Sequence, residues 1–159
     1  MESFNILEIT KIAMNMEKEG QEFYRKAAAL TTDEKLSSMF ILLAEQEKRH
    51  LELFFDLHKT FSEKNGISDE YIYDENVSLY MKALVENKVF KEAELTRIKN
   101  MDSMKDALGL GINSEKNSIL FYTEIIRNTK STEVLGVLSL ILAEEKKHLV
   151  DLTNIINTI

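Results

Sequence analysis

Apolar residues recur every three to four positions along almost the whole chain, and no segment alternates apolar and polar residues as a half-buried strand does. This pattern predicts an all-α protein with four long helices: one over about 3–30, one that ends near 65, one over about 103–128 and one over about 132–157. Ser3 is expected to cap the first helix, and the segment from Thr31 to Glu34 to form a capping box before the second. Residues 67–102 are less regular, and a short amphipathic helix is predicted there after Asn76.

The second half of the chain repeats the first at an offset of 98 residues. The matching segments are Glu17 with Glu115, Phe23-Tyr24 with Phe121-Tyr122, and the run from Glu47 to Leu51 with the run from Glu145 to Leu149. We therefore expect one domain, 1–159, built from two helical hairpins, 3–65 and 103–157, joined by a crossover, 66–102. Because that crossover is too long for a simple turn, it can run the length of a four-helix bundle and leave the second and third helices parallel.

Composition excludes several classes of protein. The chain has no cysteine, which excludes a disulfide framework, a thiolate-held metal and a thiol nucleophile. Its net charge is −7 and no basic block occurs, so nucleic-acid binding is not expected. The longest apolar run, 134–143, is far below the roughly 20 residues that span a bilayer, so no membrane partner is expected either. The first residues do not resemble a signal peptide, which favours a cytoplasmic location.

Four carboxylates occupy helix faces that should be apolar. Wheel projections place two Glu-x-x-His pairs inside the apolar stripes of the second and fourth helices, Glu115 inside that of the third, and Glu17 near the edge of the first; the pairs are Glu47/His50 and Glu145/His148. An unpaired buried ion costs several kcal/mol, and no apolar stripe contains a Lys or Arg partner. Protonation could neutralise one or two of the four carboxylates, and hydrogen bonding within an ordinary polar core is a further alternative. Two divalent cations would balance all four charges, with two neutral imidazoles completing the ligand set.

The spacing supports a common site for these residues. The two glutamates of each hairpin, Glu17 with Glu47 and Glu115 with Glu145, are equidistant from the predicted turn between their helices. At 1.5 Å per residue, all four should lie about 20 Å from the turns, near the middle of the bundle. The i, i+3 spacing places each histidine on the same helix face as its glutamate.

This arrangement resembles the ferritin-like di-iron carboxylate proteins, and most closely the rubrerythrins and their erythrin-like relatives. The motifs that carry the resemblance are Met16-Glu17-x-x-Gly20-x-x-Phe23-Tyr24, Leu43-Ala44-Glu45-x-Glu47-x-x-His50, Glu115 through Tyr122, and Ala143-Glu144-Glu145-x-x-His148. The resemblance implies a ferritin-like four-helix bundle that holds two iron ions. The carboxylate and imidazole ligands are also compatible with Mn or Zn in place of Fe. The implied ligands are Glu17, Glu47, His50, Glu115, Glu145 and His148. Whether Glu17 and Glu115 are terminal or bridging ligands stays open at this point.

The resemblance implies a non-haem di-iron oxidoreductase that acts on peroxide or dioxygen. An iron-binding or ferroxidase protein for iron storage or handling is the alternative, and a purely structural metal site is a third. Rubrerythrins carry a rubredoxin-like domain whose iron is held by cysteines; this chain has none, so a separate electron donor is expected. Ser118 also stands where rubrerythrins have an additional glutamate, which takes part in a redox-linked ligand change.

Two further expectations concern aromatic residues. Tyr24 and Tyr122 are candidate catalytic residues that could hydrogen-bond the ligand carboxylates or relay electrons, or they could be ordinary buried tyrosines. The crossover is rich in aromatic residues for a peripheral segment, which favours a homodimer or a larger homo-oligomer. The aromatic residues in question are Tyr71, Tyr73, Tyr80 and Phe90.

Overall fold

A computed structural model describes residues 3–64, 73–86 and 104–159 of the chain. These segments contain helices and the turns beside them, and no strand. The helices are α1 (Ile6–Leu30), α2 (Glu34–Glu63), α3 (Glu75–Glu86), α4 (Met104–Asn128) and α5 (Thr132–Ile156). The predicted all-α class is confirmed, and α3 is the short helix expected within the crossover.

The first helix is capped by Asn5, so the predicted Ser3 cap is wrong. The Asn5 side chain accepts hydrogen bonds from the backbone N–H groups of Leu7 and Glu8, at 2.9 and 3.0 Å. The Glu8 carboxylate in turn accepts from the Asn5 N–H at 2.9 Å. Unlike Ser3, Asn5 is followed three residues later by a glutamate, Glu8, which completes the reciprocal capping box.

The predicted capping box from Thr31 to Glu34 is also wrong in detail, although α2 does begin there. Asp33 is the cap, and its carboxylate accepts from the Leu36 N–H at 2.9 Å. Thr31 ends α1 instead: its N–H donates to the Ala27 carbonyl, and its hydroxyl accepts from the Asp33 N–H. The turn is short enough that the threonine serves the preceding helix and the aspartate serves the following one.

The start of α3 differs from the prediction in the same way. The Asp74 carboxylate accepts from the Asn76 N–H at 2.8 Å, so Asn76 lies inside the helix that it was expected to begin. Tyr73, just before α3, is buried, and its N–H donates to the Phe4 carbonyl at 2.9 Å, whereas Tyr80 is exposed. Tyr71 and Phe90 lie outside the described residues, and homo-oligomerisation stays a prediction.

Contacts between the two hairpins fix the direction of each helix. The Tyr24 hydroxyl donates a hydrogen bond to Glu115, and the Tyr122 hydroxyl donates one to Glu17. Helices α1 and α4 are therefore antiparallel. Residue numbers also run oppositely along α2 and α5, where the paired side chains are His50 with Glu144 and Gln46 with His148. Since each hairpin is itself antiparallel, α2 and α4 are parallel. This confirms the ferritin-like topology with a long crossover between the second and third bundle helices.

Two apolar clusters fill the two halves of the bundle. One lies near the α1–α2 turn and includes Phe23, Phe40 and Leu152. The other lies near the α4–α5 turn and includes Phe54 and Phe121. The middle of the bundle, between the clusters, is therefore closed from both ends by packed side chains. None of the helices in the described ranges combines the length and apolar character that crossing a membrane requires.

Candidate metal centre

The six polar residues singled out by the sequence pattern lie together in the middle of the bundle. Each is at most 5 % exposed, including Glu17, for which the helical pattern was weakest. They come from the four long helices: Glu17 from α1, Glu47 and His50 from α2, Glu115 from α4, and Glu145 and His148 from α5.

The six residues form two overlapping groups, each able to surround one cation. In each group, one ligand atom from every residue lies within 4.8 Å of the others. The first group is Glu17, Glu47, His50 and Glu145, and the second is Glu47, Glu115, Glu145 and His148. Glu47 and Glu145 belong to both groups, whereas Glu17 and Glu115 each belong to one.

Both imidazole rings direct Nδ1 toward the carboxylates. His50 Nδ1 lies 2.8 Å from Glu145 Oε1 and 3.3 Å from Glu17 Oε2. His148 Nδ1 lies 3.3 Å from Glu47 Oε1. The two rings stack with centroids 5.9 Å apart and planes 21° from parallel, so they face the cluster side by side.

Several inward-facing atoms of this cluster are buried without a well-aligned hydrogen bond. Within the described part of the chain, these atoms are Glu17 Oε2, Glu47 Oε1, both carboxylate oxygens of Glu145, and the Nδ1 atoms of His50 and His148. They lie close to one another, as His50 Nδ1 and Glu145 Oε1 do at 2.8 Å, but none of them has a hydrogen-bond partner among the described residues. Buried polar atoms are normally paired, so a concentrated set of unpaired oxygen and nitrogen donors fits bound cations.

Two tyrosines hold the single-group glutamates across the hairpin boundary. The Tyr24 hydroxyl donates to Glu115 Oε1, and the Tyr122 hydroxyl donates to Glu17 Oε1. Both phenols are fully buried, at 1 % and 0 % exposure. Each tyrosine thus orients a carboxylate of the other hairpin, leaving its second oxygen for the cluster.

The outer nitrogen of each ring has a partner that the sequence pattern did not single out. His50 Nε2 lies 2.7 Å from Glu144 Oε2, and His148 Nε2 lies 3.1 Å from Gln46 Oε1. Glu144 and Gln46 occupy the same position of the repeat, one residue before a cluster glutamate. That shared position was the available signal, although the wheel places both residues beside the apolar stripe.

A family model described as Rubrerythrin matches residues 8–156. The chain belongs to the rubrerythrin family. Its fold is similar to the crystal structure of a proposed ferritin-like diiron-carboxylate protein from Thermotoga maritima. That protein is 22 % identical, with a TM-score of 0.75 and coverage of 99 % of this chain and 97 % of the other.

A hypothetical protein from Pyrococcus furiosus has a similar fold, at 19 % identity and a TM-score of 0.71. The likeness covers 97 % of this chain and 89 % of the other. Among curated proteins, none matches this chain significantly. At these identities the two likenesses show the fold, and membership of the rubrerythrin family rests on the family match.

Burial and mutual contact shift the ionisation of this rubrerythrin-family cluster strongly. Burial alone would lower the histidine pKa values, but the neighbouring carboxylates, led by Glu145 for His50 and by Glu115 for His148, raise them to about 11 and about 9. Burial, followed by the charge of Glu145, raises the pKa of Glu47 and that of Glu115 well above the usual range. Burial opposes ionisation of Glu145 too, yet its contacts with Glu115 and both rings lower its pKa. Without cations, therefore, the cluster retains protons that metal ions would displace.

A glycine leaves room for one of the shared glutamates. A Cβ atom at Gly20 would lie 3.3 Å from Glu47 Oε2, a tight contact that glycine avoids. Gly111 is similarly close to Leu152 and Tyr24, at 3.4 Å. At Gly109, by contrast, no described atom lies within 4 Å of the position that a Cβ atom would take. Ser118, at the repeat position that matches Gly20, is buried.

Replacing Tyr24 or Tyr122 with phenylalanine should destabilise the metal-free protein by about 1–3 kcal/mol, because each change leaves a buried carboxylate oxygen without its donor. Urea denaturation of each variant measures the loss. Tyr80→Phe is the matched control, since Tyr80 is 42 % exposed and lies on α3, which contributes none of the six cluster residues. If the buried variants lose no more stability than Tyr80→Phe, the tyrosines do not hold the carboxylates.

Proposed function

We propose that the cluster binds two iron ions and that the protein is a rubrerythrin-like oxidoreductase, acting on peroxide or dioxygen with electrons from a separate donor. The observation that carries this proposal is the pair of overlapping buried donor groups with two shared glutamates. An ordinary buried polar network would not need two four-residue groups of metal-ligating side chains that share Glu47 and Glu145. Membership of the rubrerythrin family supports the same assignment.

The overlap suggests a role for each ligand. Glu47 and Glu145, which belong to both groups, are proposed to bridge the two ions. Glu17 and Glu115 are proposed as terminal ligands, each held by a tyrosine from the opposite hairpin. The histidines would bind through Nδ1, since that atom faces the carboxylates in both rings.

The donor chemistry supports iron, with manganese as a close alternative. Carboxylate oxygen and imidazole nitrogen suit both metals, and zinc is also compatible with this set. Bound iron supplies an Fe(II)/Fe(III) couple, which is the chemistry needed to reduce peroxide or dioxygen. The chain itself holds the ligands, closes the middle of the bundle with two apolar clusters and keeps bulk water away.

Electrons would come from outside this chain, because it contains no cysteine with which to build the iron relay of a rubredoxin-like domain. Ser118 differs from the additional glutamate of rubrerythrins, so the proposed reaction does not use a ligand exchange at that position. The cytoplasmic location likewise stays a prediction.

Metal analysis of protein purified without chelators, followed by anaerobic loading with Fe(II), tests the proposal. We expect about two irons per chain, and oxidation of the ferrous form on adding peroxide or, in a separate sample, dioxygen. Many irons per chain after aerobic loading would favour iron storage instead. Two irons inert to both oxidants would indicate a structural site, and absence of bound metal would refute the assignment. Glu45→Gln is the control for loading, because Glu45 is exposed and faces Arg25 at 3.6 Å, away from the cluster.

A further inference from the structure

The two proposed metal positions have equivalent inner donors. Each group contains one histidine, one glutamate of its own and the two shared glutamates. The glutamates that belong to one group only, Glu17 and Glu115, each accept a hydrogen bond from a buried tyrosine of the opposite hairpin. A difference between the two positions must therefore come from outside the ligand set.

The outer partners of the histidines supply that difference. His50 Nε2 faces the carboxylate of Glu144 at 2.7 Å, whereas His148 Nε2 faces the amide oxygen of Gln46 at 3.1 Å. One is an anionic acceptor and the other a neutral one, although the two residues occupy the same repeat position. Glu144 also pairs with the Arg49 guanidinium, which fixes the carboxylate beside the ring.

We infer that the two metal positions are unequal, and that the position at His50 binds its ion first and more tightly because of Glu144. This inference rests on the proposed function. It identifies Glu144 as a positioning residue that acts through the His50 ring and does not touch the metal.

The physical reason lies in how a second partner changes a histidine ligand. When Nδ1 binds a cation, Nε2 carries the hydrogen and must donate it outward. A carboxylate acceptor forms a shorter, charge-assisted hydrogen bond, fixes the ring and makes Nδ1 a more basic ligand. A neutral amide does the same more weakly, so the inner nitrogen of His148 gains less.

The position of Arg49 moderates this effect without removing it. Its side chain is 52 % exposed and that of Glu144 24 %, so water screens the ion pair. The carboxylate keeps its Oε2 atom on the ring while Oε1 contacts the guanidinium. Lys147, which occupies the repeat position of Arg49, is exposed. The surroundings of the two outer ring nitrogens therefore differ in the acceptor and in the basic residue near it.

Titrating the metal-free protein with Co(II), followed by visible absorption and calorimetry, tests the inference. We expect two binding steps, the first at least about tenfold tighter than the second. Glu144→Gln should weaken the first step by about 10–100-fold and bring the two steps together. Gln46→Glu should tighten the second step instead. Glu45→Gln, the same chemical change at an exposed site on α2, should alter neither step.

The possible outcomes separate this inference from the proposed function. Two bound ions with equal affinities, or a Glu144→Gln variant whose first step is unchanged, would overturn the inequality and leave the two-metal site intact. A second step that is weakened in Glu144→Gln while the first step is unchanged would show that the binding order is reversed. No bound Co(II) in the unaltered protein would refute the metal site itself. Should Glu144→Gln fold poorly, Gln46→Glu still decides, because an unchanged second step there contradicts the effect of the outer carboxylate.

Discussion

Replacing Glu47 with glutamine should destabilise the metal-loaded protein and stabilise the metal-free protein. The change keeps the shape of the side chain and removes its charge, so packing around it alters little. Glu47 is 5 % exposed and is one of the two glutamates that belong to both donor groups, so its charge matters in either state. A residue that merely fills the core would shift stability in the same direction with and without metal.

In the metal-loaded state, the glutamine removes a shared anionic ligand and weakens the binding of both ions. Ligand binding stabilises the folded state in proportion to the logarithm of metal concentration over Kd. With metal at 100 to 1,000 times Kd, a loss of about 3–4 kcal/mol is therefore expected. The loss should grow with metal concentration, because the unaltered protein gains stability that the variant cannot.

In the metal-free state, the sign reverses because the carboxylate is then costly. Burial and the neighbouring charges raise the pKa of Glu47 well above that of an unfolded glutamate. At pH 7 the folded chain must either protonate this group or keep a crowded buried anion, and glutamine does neither. We expect a gain of about 1–3 kcal/mol.

Urea denaturation of both states, with chelator and with excess metal, measures the two effects. Glu45→Gln is again the matched control and should change stability by less than about 0.5 kcal/mol in either state. An equal loss of stability for Glu47→Gln with and without metal would contradict a metal site at this position.

The residues of the candidate site could be found from sequence because burial of charge is conspicuous in a helical pattern. Glu47 and His50 interrupt an apolar stripe that is otherwise regular, and the repeat places Glu145 and His148 in the same positions. Glu17 was less clear from the wheel alone, and its match with Glu115 gave the stronger signal. The structure brings all of these residues together in the two groups.

The helix caps and the outer partners of the histidines were harder to predict than the six cluster residues. The caps depend on competition between neighbouring side chains, and the outer partners depend on contacts between helices. Ser3 and Asn5 are both good capping residues, and the glutamate at position 8 decides between them. Glu144 lies beside the stripe, where a charged residue is ordinary, and its contact with His50 on another helix is visible only in three dimensions. The division of ligands into shared and single-group members likewise needs three-dimensional distances.

The metal-free protein should lose stability as the pH rises from about 6.5 to 9. Although burial acts in the opposite sense, the carboxylates raise the pKa of His50 to about 11 and that of His148 to about 9 in the folded chain. The unfolded rings lose their protons near pH 6.5. Stability from these groups is therefore complete below pH 6.5 and is lost as the pH rises through the folded values.

The slope of this loss follows from proton counting. Each proton held by the folded chain and absent from the unfolded chain lowers the free energy of unfolding by about 1.4 kcal/mol per pH unit. The two rings would give up to about 2.7 kcal/mol per unit just above pH 7. The raised pKa values of Glu47 and Glu115 act in the same direction. The lowered pKa of Glu145 affects stability only at acidic pH, where stability falls as that carboxylate becomes protonated.

Metal should reverse the slope, because cations bind only the deprotonated ligands and displace these protons. Urea denaturation at pH 6.5, 7.5 and 8.5 measures the metal-free slope, and the same series with excess metal is its control. Calorimetric metal titrations in buffers of different ionisation enthalpy should also show at least about two protons released per chain at pH 7, one from each ring. A metal-free protein whose stability stays constant or rises over this range, together with metal binding that releases no proton, would mean that the histidines face the carboxylates as neutral rings. The cluster would then hold no protons for metal ions to displace.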